Sequence, residues 1–350
     1  MLKIDFETHF IVKPSFDYLL NSKHVPNITP AADSGSYNVT FAPDVSLYHP
    51  KALLDNLFDI GAGRIAKMDA AKIQIQILSL TAPNSVDNFA NEANTGTMLA
   101  KEANDELFAA IEKFPNRFKG FAALSPFNAS EASKELERAV TKLGFVGWLT
   151  HSNFCQNDYL DDKKYWAILE AAESLNVPIY IHPTVPWMKP FSKYGFALGG
   201  SAMGFEFDTA LCAMRMILAG VFDQFPKLKI ILGHLGETLP FLMERLDHMY
   251  RTPIFEKYRP TLKQKPSDYL RENFYITTSG RFFTPTLKYV VEVMGADRVL
   301  FASDFPYESM EESVAFIQDS GLPRKTIDKI FHQNAIDLGF VQNVPELTGH

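Results

Sequence analysis

Cysteine is nearly absent from this chain: Cys155 and Cys212 stand alone, with no CxxC pair. That excludes a disulfide scaffold and a thiolate zinc site, and it suits a protein of the reducing cytoplasm. Basic residues show no excess, since 34 Lys and Arg face 41 Asp and Glu for a net charge of −7. A basic footprint for nucleic acid is therefore missing, and no such partner is expected. No apolar run approaches the roughly 20 residues of a membrane span, and the first residues lack the basic and apolar regions of a secretory signal. There is no GxGxxG phosphate loop. What is present is 46% hydrophobic and 21% charged residues over 350 positions, enough apolar material for a large core.

Short apolar runs recur along that length. They read LKIDFETH (2–9), KIQIQILSL (72–80), FKGFAAL (118–124), FVGWLTH (145–151), PIYIHP (178–183), LKIILGHLG (228–236), FYITTSG (274–280) and RVLFASDFP (298–306). Helix-like stretches such as SEASKELERAVTKL and KKYWAILEAAESL separate them. Alternating strand and helix patterns imply a parallel sheet covered by helices, and eight repeats imply a closed (β/α)8 TIM-like barrel. Two stretches exceed what a plain barrel needs: 21–50 after the first strand and 184–204 after the fifth. Both are expected as long loops at the C-terminal rim, where barrel active sites are built. With no linker visible, residues 1–340 are expected as one domain and 341–350 as a tail.

Chemistry concentrates at the strand ends. In IDFETHF, Glu7 and His9 are two residues apart and point to one face of a strand. The fifth strand ends at His182, the sixth in GHLGE with His234 and Glu237, and the eighth in SDFP with Asp304. Each has an ordinary alternative reading. A strand-end histidine is usually packed and hydrogen-bonded, Asp304 would suit a turn cap, Glu7 an ion pair, and Glu237 a helix start. Independent accidents would not all fall on one rim of one barrel. Nitrogen and oxygen donors without thiolates suit Zn²⁺ or Mn²⁺. His151, beyond the fourth strand, is a further rim candidate.

The combination ExH…HP…GHLGE…SDFP resembles the metal-dependent amidohydrolase superfamily. Within it, the chain is similar to the branch that holds aminocarboxymuconate-semialdehyde, γ-resorcylate, 2,3-dihydroxybenzoate and 5-carboxyvanillate decarboxylases. The supporting segments are RIAKMDAAKIQIQILSLTAP (64–83), FPNRFKGFAALSP (114–126), GVFDQFPKLKIILGHLGETLPF (220–241) and ITTSGRFFTPTL with GADRVLFASDFPYES (276–309). The resemblance implies that Glu7, His9, His182 and Asp304 hold one divalent ion. His234 would be the acid–base group oriented by Glu237, and Arg64 would face the substrate carboxylate. Hydrolytic members begin HxH where this chain has ExH, and FVGWLTH lacks the lysine that bridges two metals. One ion per chain is expected, in a homodimer or homotetramer.

The activity so implied is non-oxidative decarboxylation of a hydroxylated aromatic acid, with Asp304 or His234 delivering the proton to the ring carbon. The alternative is a hydrolase of a lactone or amide, because the same donors would serve both. A small aromatic carboxylate needs an apolar slot. Phe10, directly after the ligand strand, and Trp187 in the 184–204 loop are expected to supply it, with Phe191, Tyr194 and Phe196 nearby.

Overall fold

A computed structural model describes residues 1–82, 86–89, 92–155 and 158–341. Its strands are β1 (Ile4–Phe10), β2 (Asn27–Pro30), β3 (Tyr37–Ala42), β4 (Val45–His49), β5 (Ile75–Leu80), β6 (Phe118–Ala122), β7 (Gly147–His151), β8 (Ile179–His182), β9 (Ile230–Leu232), β10 (Phe274–Thr277) and β11 (Val299–Leu300). Eight of them pair in the order β1-β5-β6-β7-β8-β9-β10-β11, every pair parallel. The last strand returns to the first: Phe6 N–H donates to Phe301 O at 3.0 Å, Asp304 N–H to Glu7 O at 2.9 Å and His9 N–H to Phe305 O at 2.8 Å. The eight expected runs are the eight barrel strands, and the fold is a single (β/α)8 barrel.

The helices form for local reasons and are held by packing. Over Ala129–Thr141, Ala132, Leu136 and Ala139 recur at helical spacing and are all buried, while Asn128 caps the start by accepting from Glu131 N–H at 3.3 Å. Burying a leucine such as Leu136 is worth about 2 kcal/mol. Such faces form an outer apolar layer between helices and barrel, and a separate inner cluster fills the barrel from Leu2, Ile4 and Phe6 to Ile231 and Leu300.

Two features of β1 matter later. Opposite β5, Asp5 pairs with Gln76 but Thr8 with Leu78, so three steps on one strand match two on its neighbour. This bulge shifts the parity of the strand. Leu2, Ile4 and Phe6 point into the barrel below it, and the odd-numbered Glu7 and His9 point inward above it. Phe10, again even, faces the outer layer instead.

The 21–50 stretch is not a structureless loop. After a helix over Lys13–Asn21, it folds into an antiparallel meander, β2-β3-β4, and its Val39, Phe41 and Val45 join the outer core. Alternating apolar residues explain the strands, and Asp44 at φ 66° makes the tight turn between β3 and β4. The 184–204 stretch carries two short helices, Lys189–Ser192 and Phe196–Gly199. At the other end of the barrel, Phe340 packs on Phe6 and Tyr275 with ring centres 6.0 and 5.9 Å apart. Val341 is 2% exposed, so the packed unit reaches one residue past the expected boundary. The rest of the expected tail lies outside the described residues. No helix among the described residues is long and apolar enough to cross a membrane.

Candidate active site

Four side chains converge at the upper mouth of the barrel. Glu7 and His9 come from β1, His182 from the end of β8 and Asp304 from the turn after β11, and one ligand atom from each lies within 4.8 Å of all the others. The closest approaches are His182 Nε2 to Glu7 Oε1 at 3.1 Å and His9 Nε2 to Asp304 Oδ1 at 3.1 Å.

Hydrogen bonds on the far side of each ring decide what those nitrogens are. His182 Nδ1 lies 2.8 Å from the Pro183 carbonyl, which can only accept, so Nδ1 carries a proton. A neutral His182 then presents the Nε2 lone pair to a carboxylate oxygen. His9 Nδ1 meets Ser79 Oγ at 3.2 Å, and that hydroxyl in turn donates to Thr8 O. Burial lowers the pKa of His9 and favours its neutral form. Glu7 is fully buried, and while Oε2 accepts from Tyr180 and Thr277, Oε1 has no hydrogen-bond partner. Two lone-pair donors facing two carboxylates, with an orphaned buried oxygen among them, are the surroundings of a cation. The four side chains fit one divalent ion with nitrogen and oxygen donors.

His234 stands next to this set. Its Nδ1 is 3.0 Å from Glu237 Oε1, and its Nε2 is 3.8 Å from both Glu7 Oε1 and Asp304 Oδ2. Burial alone would strip its proton, but the Glu237 and Glu7 carboxylates reverse that and raise its pKa well above the ordinary value. Burial works against ionised Asp304 as well, yet hydrogen bonding to His234 and His9 holds its carboxyl below the usual range. Burial likewise opposes the charge of Glu7, and the neighbouring imidazoles, His234 foremost, outweigh it and keep the group ionised. The backbone here is unusual: His234, Leu235, Gly236 and Glu237 all have positive φ, from 52° to 82°, and Asp304 has φ 68°. A run of left-handed residues is held only where the surroundings over-determine it, and such runs cluster at active sites.

If Glu237 keeps His234 protonated, Glu237→Gln removes the charge that does so. The raised pKa of His234 means its imidazolium persists as pH climbs and is lost only above the ordinary histidine range. In the variant that loss begins earlier, so the alkaline limb of the kcat/KM profile moves to lower pH, and activity at pH 8 falls about 10- to 100-fold. An unmoved alkaline limb would show that Glu237 has no such role.

A cavity of about 230 Å³ opens above these groups, lined by His182, His234, Asp304, Tyr307 and Glu308, with Phe41 and Leu47 from the meander, Phe196 from the second insertion and Phe205 from the Gly204–Leu218 helix that follows it. The two insertions meet over it, Phe41 and Phe196 with ring centres 6.0 Å apart. A second compartment of about 340 Å³ shares Ser201, Phe205, His234, Asp304 and Glu308 with the first and adds Glu206, Glu237 and Arg281.

Three expected substrate contacts are not part of this wall. Arg64 is completely buried, and its guanidinium donates to the carbonyls of His9, Asp59 and Asn56 at 2.6, 2.7 and 2.9 Å while lying over the Phe305 ring. It braces the backbone of the ligand strand and does not line the cavity. Phe10 faces outward because of the bulge, and Trp187 is half-buried against the outer core. Of the aromatics expected in the 184–204 stretch, Phe196 lines the cavity, whereas Tyr194 is 66% exposed. His151 is buried with Nδ1 2.8 Å from Asp87 Oδ2, its ring 5.4 Å from that of His182. Missed from the sequence were Phe41, Leu47, Tyr307, Glu308 and Arg281. For the last three a signal existed, since each falls within five residues of the end of a barrel strand sequence.

A family profile described as amidohydrolase matches residues 4–338. The chain belongs to the amidohydrolase family. Among curated members it is 40% identical to the γ-resorcylate decarboxylase of Polaromonas sp., over 82% of this chain and 89% of that one. The crystal structure of 5-carboxyvanillate decarboxylase from Sphingomonas paucimobilis superimposes with a TM-score of 0.85 at 32% identity, covering 97% of this chain and 99% of that one. A dihydroxybenzoic acid decarboxylase from Polaromonas sp., solved with manganese and the inhibitor 2-nitroresorcinol, gives a TM-score of 0.82 at 35% identity over 96% of each chain. This amidohydrolase thus shares its full barrel with decarboxylases of small aromatic acids.

Proposed function

We propose that this amidohydrolase removes the carboxyl group of a hydroxylated aromatic acid of the γ-resorcylate, dihydroxybenzoate or orsellinate type, without an oxidant. The observation that carries the reading is the placement of Asp304 within the four-residue cluster and beside His234, at the floor of a small apolar-walled cavity. A divalent ion, Mn²⁺ as in the relative solved with manganese or Zn²⁺, would be held by Glu7, His9, His182 and Asp304 and would neutralise the phenolate and carboxylate of the substrate.

The chain's own groups supply the rest. His234, kept charged by Glu237, stores a proton 3.8 Å from Asp304 Oδ2 and re-supplies that carboxyl. Asp304, ionised at rest, takes that proton and passes it to the ring carbon that bears the carboxylate. The carbon–carbon bond then breaks, its electron pair returns to the ring, and CO₂ leaves with the proton retained on carbon. Phe41, Phe196 and Phe205 flank the ring and exclude water.

Manganese-loaded protein is expected to release CO₂ from at least one of 2,6-dihydroxybenzoate, 2,3-dihydroxybenzoate, orsellinate and 5-carboxyvanillate. In D₂O the product gains one deuterium at the vacated carbon. Stripping the ion with a chelator abolishes turnover and, at an ion concentration about 100 times its Kd, removes about 3 kcal/mol of stability. Absence of CO₂ across the panel would sink the reading. A homodimer or homotetramer is also proposed, supported by the exposed Phe241, Ile254 and Phe283 at 80, 71 and 60%. Sedimentation velocity showing a monomer at micromolar concentration would contradict it. A cytoplasmic location suits the two buried cysteines.

A further inference from the structure

The cavity wall is acidic. Asp304, Glu308, Glu237 and Glu206 line its two compartments, and among the described residues Arg281 is the sole lysine or arginine that does. Arg281 follows Gly280, whose backbone is pressed against His234 and Asp304. Its guanidinium is ion-paired with Glu206, from the first turn of the Gly204–Leu218 helix, and the two side chains are 30 and 18% exposed. Besides the His234 imidazolium and the ion proposed above, an aromatic carboxylate entering this space meets four acidic side chains and one guanidinium fork. Arg64, the other arginine near the mouth, donates to three backbone carbonyls and does not line the cavity.

We propose that Arg281 is the specificity-determining residue of this chain: it receives the carboxylate of the aromatic acid and is parked on Glu206 when the cavity holds none. This rests on the reading of the cavity as a site for aromatic acids. Exchange of one carboxylate for another leaves the arginine paired throughout, so the substrate need not overcome the penalty of a lone, partly desolvated guanidinium. The planar fork matches a carboxylate through two parallel hydrogen bonds. A phenol without the carboxyl group offers no such partner. Once CO₂ has gone, Arg281 returns to Glu206, and the product is held more weakly than the acid.

Calorimetric titration of the manganese-loaded protein with 2,6-dihydroxybenzoate and with resorcinol tests this without requiring turnover. Arg281→Ala is expected to raise the Kd for the acid about 10- to 100-fold and to leave that for resorcinol within about twofold. Arg281→Lys, which keeps charge but not the fork, falls between. Glu206→Gln weakens the resting pair and tightens the acid about threefold, a gain that a damaged fold would not give. Equal losses for acid and phenol in Arg281→Ala, or an acid affinity unchanged by it, would overturn the assignment, as would wild-type protein that binds no aromatic acid. Wild-type protein that binds the acid through Arg281 yet releases no CO₂ would refute the decarboxylase reading and leave this one standing.

Discussion

Asp304→Asn is expected to slow CO₂ release by about 10³-fold or more with the barrel intact. The substitution is close to isosteric and keeps the backbone bond to Glu7 O at 2.9 Å, which closes the sheet. What it removes is a carboxyl group able to give a proton to carbon and take another from His234. It also removes one of four donors around the cation, so metal content has to be measured alongside the rate. A variant that retains manganese but not turnover places the defect in proton delivery. A variant that loses the ion and recovers activity at high manganese places it in binding. Near wild-type turnover at normal metal content would eliminate Asp304 as the donor.

The second large effect is expected where no side chain exists. A methyl group at Gly280 would lie 2.8 Å from His234 Cδ2 and 3.3 Å from its Nε2, closer than packing permits. Gly280 also has φ +57°, a left-handed conformation that an L residue adopts at a penalty of about 1–2 kcal/mol. Gly280→Ala should therefore tilt the imidazole away from Asp304 and lower kcat/KM about 100-fold, the typical result of misplacing a catalytic group by an ångström. The melting temperature should fall only a few degrees, and metal content should hold. Unchanged kcat/KM would mean that His234 has freedom the geometry does not suggest, and its part in proton supply would need revision.

Much of this was legible in the chain because barrel strands announce themselves as short buried runs and because ligands sit where those runs end. His182, His234, Glu237 and Asp304 each lie just past an apolar strand core, and that position alone points them at the upper rim. The misreadings have physical causes. Period-2 reasoning placed Glu7 and His9 on one face correctly, but it could not show the bulge at Asp5–Thr8 that puts them on the same inner side as Ile4 and Phe6. For the same reason Phe10 was expected in the slot and faces the helices. Residues 21–50 are rich in turn formers, which masked the alternation that builds β2, β3 and β4. The resemblance implied that Arg64 would face the substrate carboxylate. Nothing local signalled that three carbonyls, one of them His9's own, would surround it. Arg281 gave little signal because the seventh barrel strand ends in small hydroxyl residues and glycine, with no metal-type side chain to mark its end.

The packing of Phe340 against Phe6 and Tyr275, with Val341 buried in the same inner cluster, gives the barrel a solid base. Among the described residues, a barrel filled at its base leaves the cavity to open at the upper mouth. The meander and the short helices of the second insertion flank that mouth, so acid, gas and phenol would share one passage between them. A shared passage would impose an order of traffic: the small, uncharged gas could slip past a ring still in place, whereas the phenol would have to clear the mouth before the next acid descends.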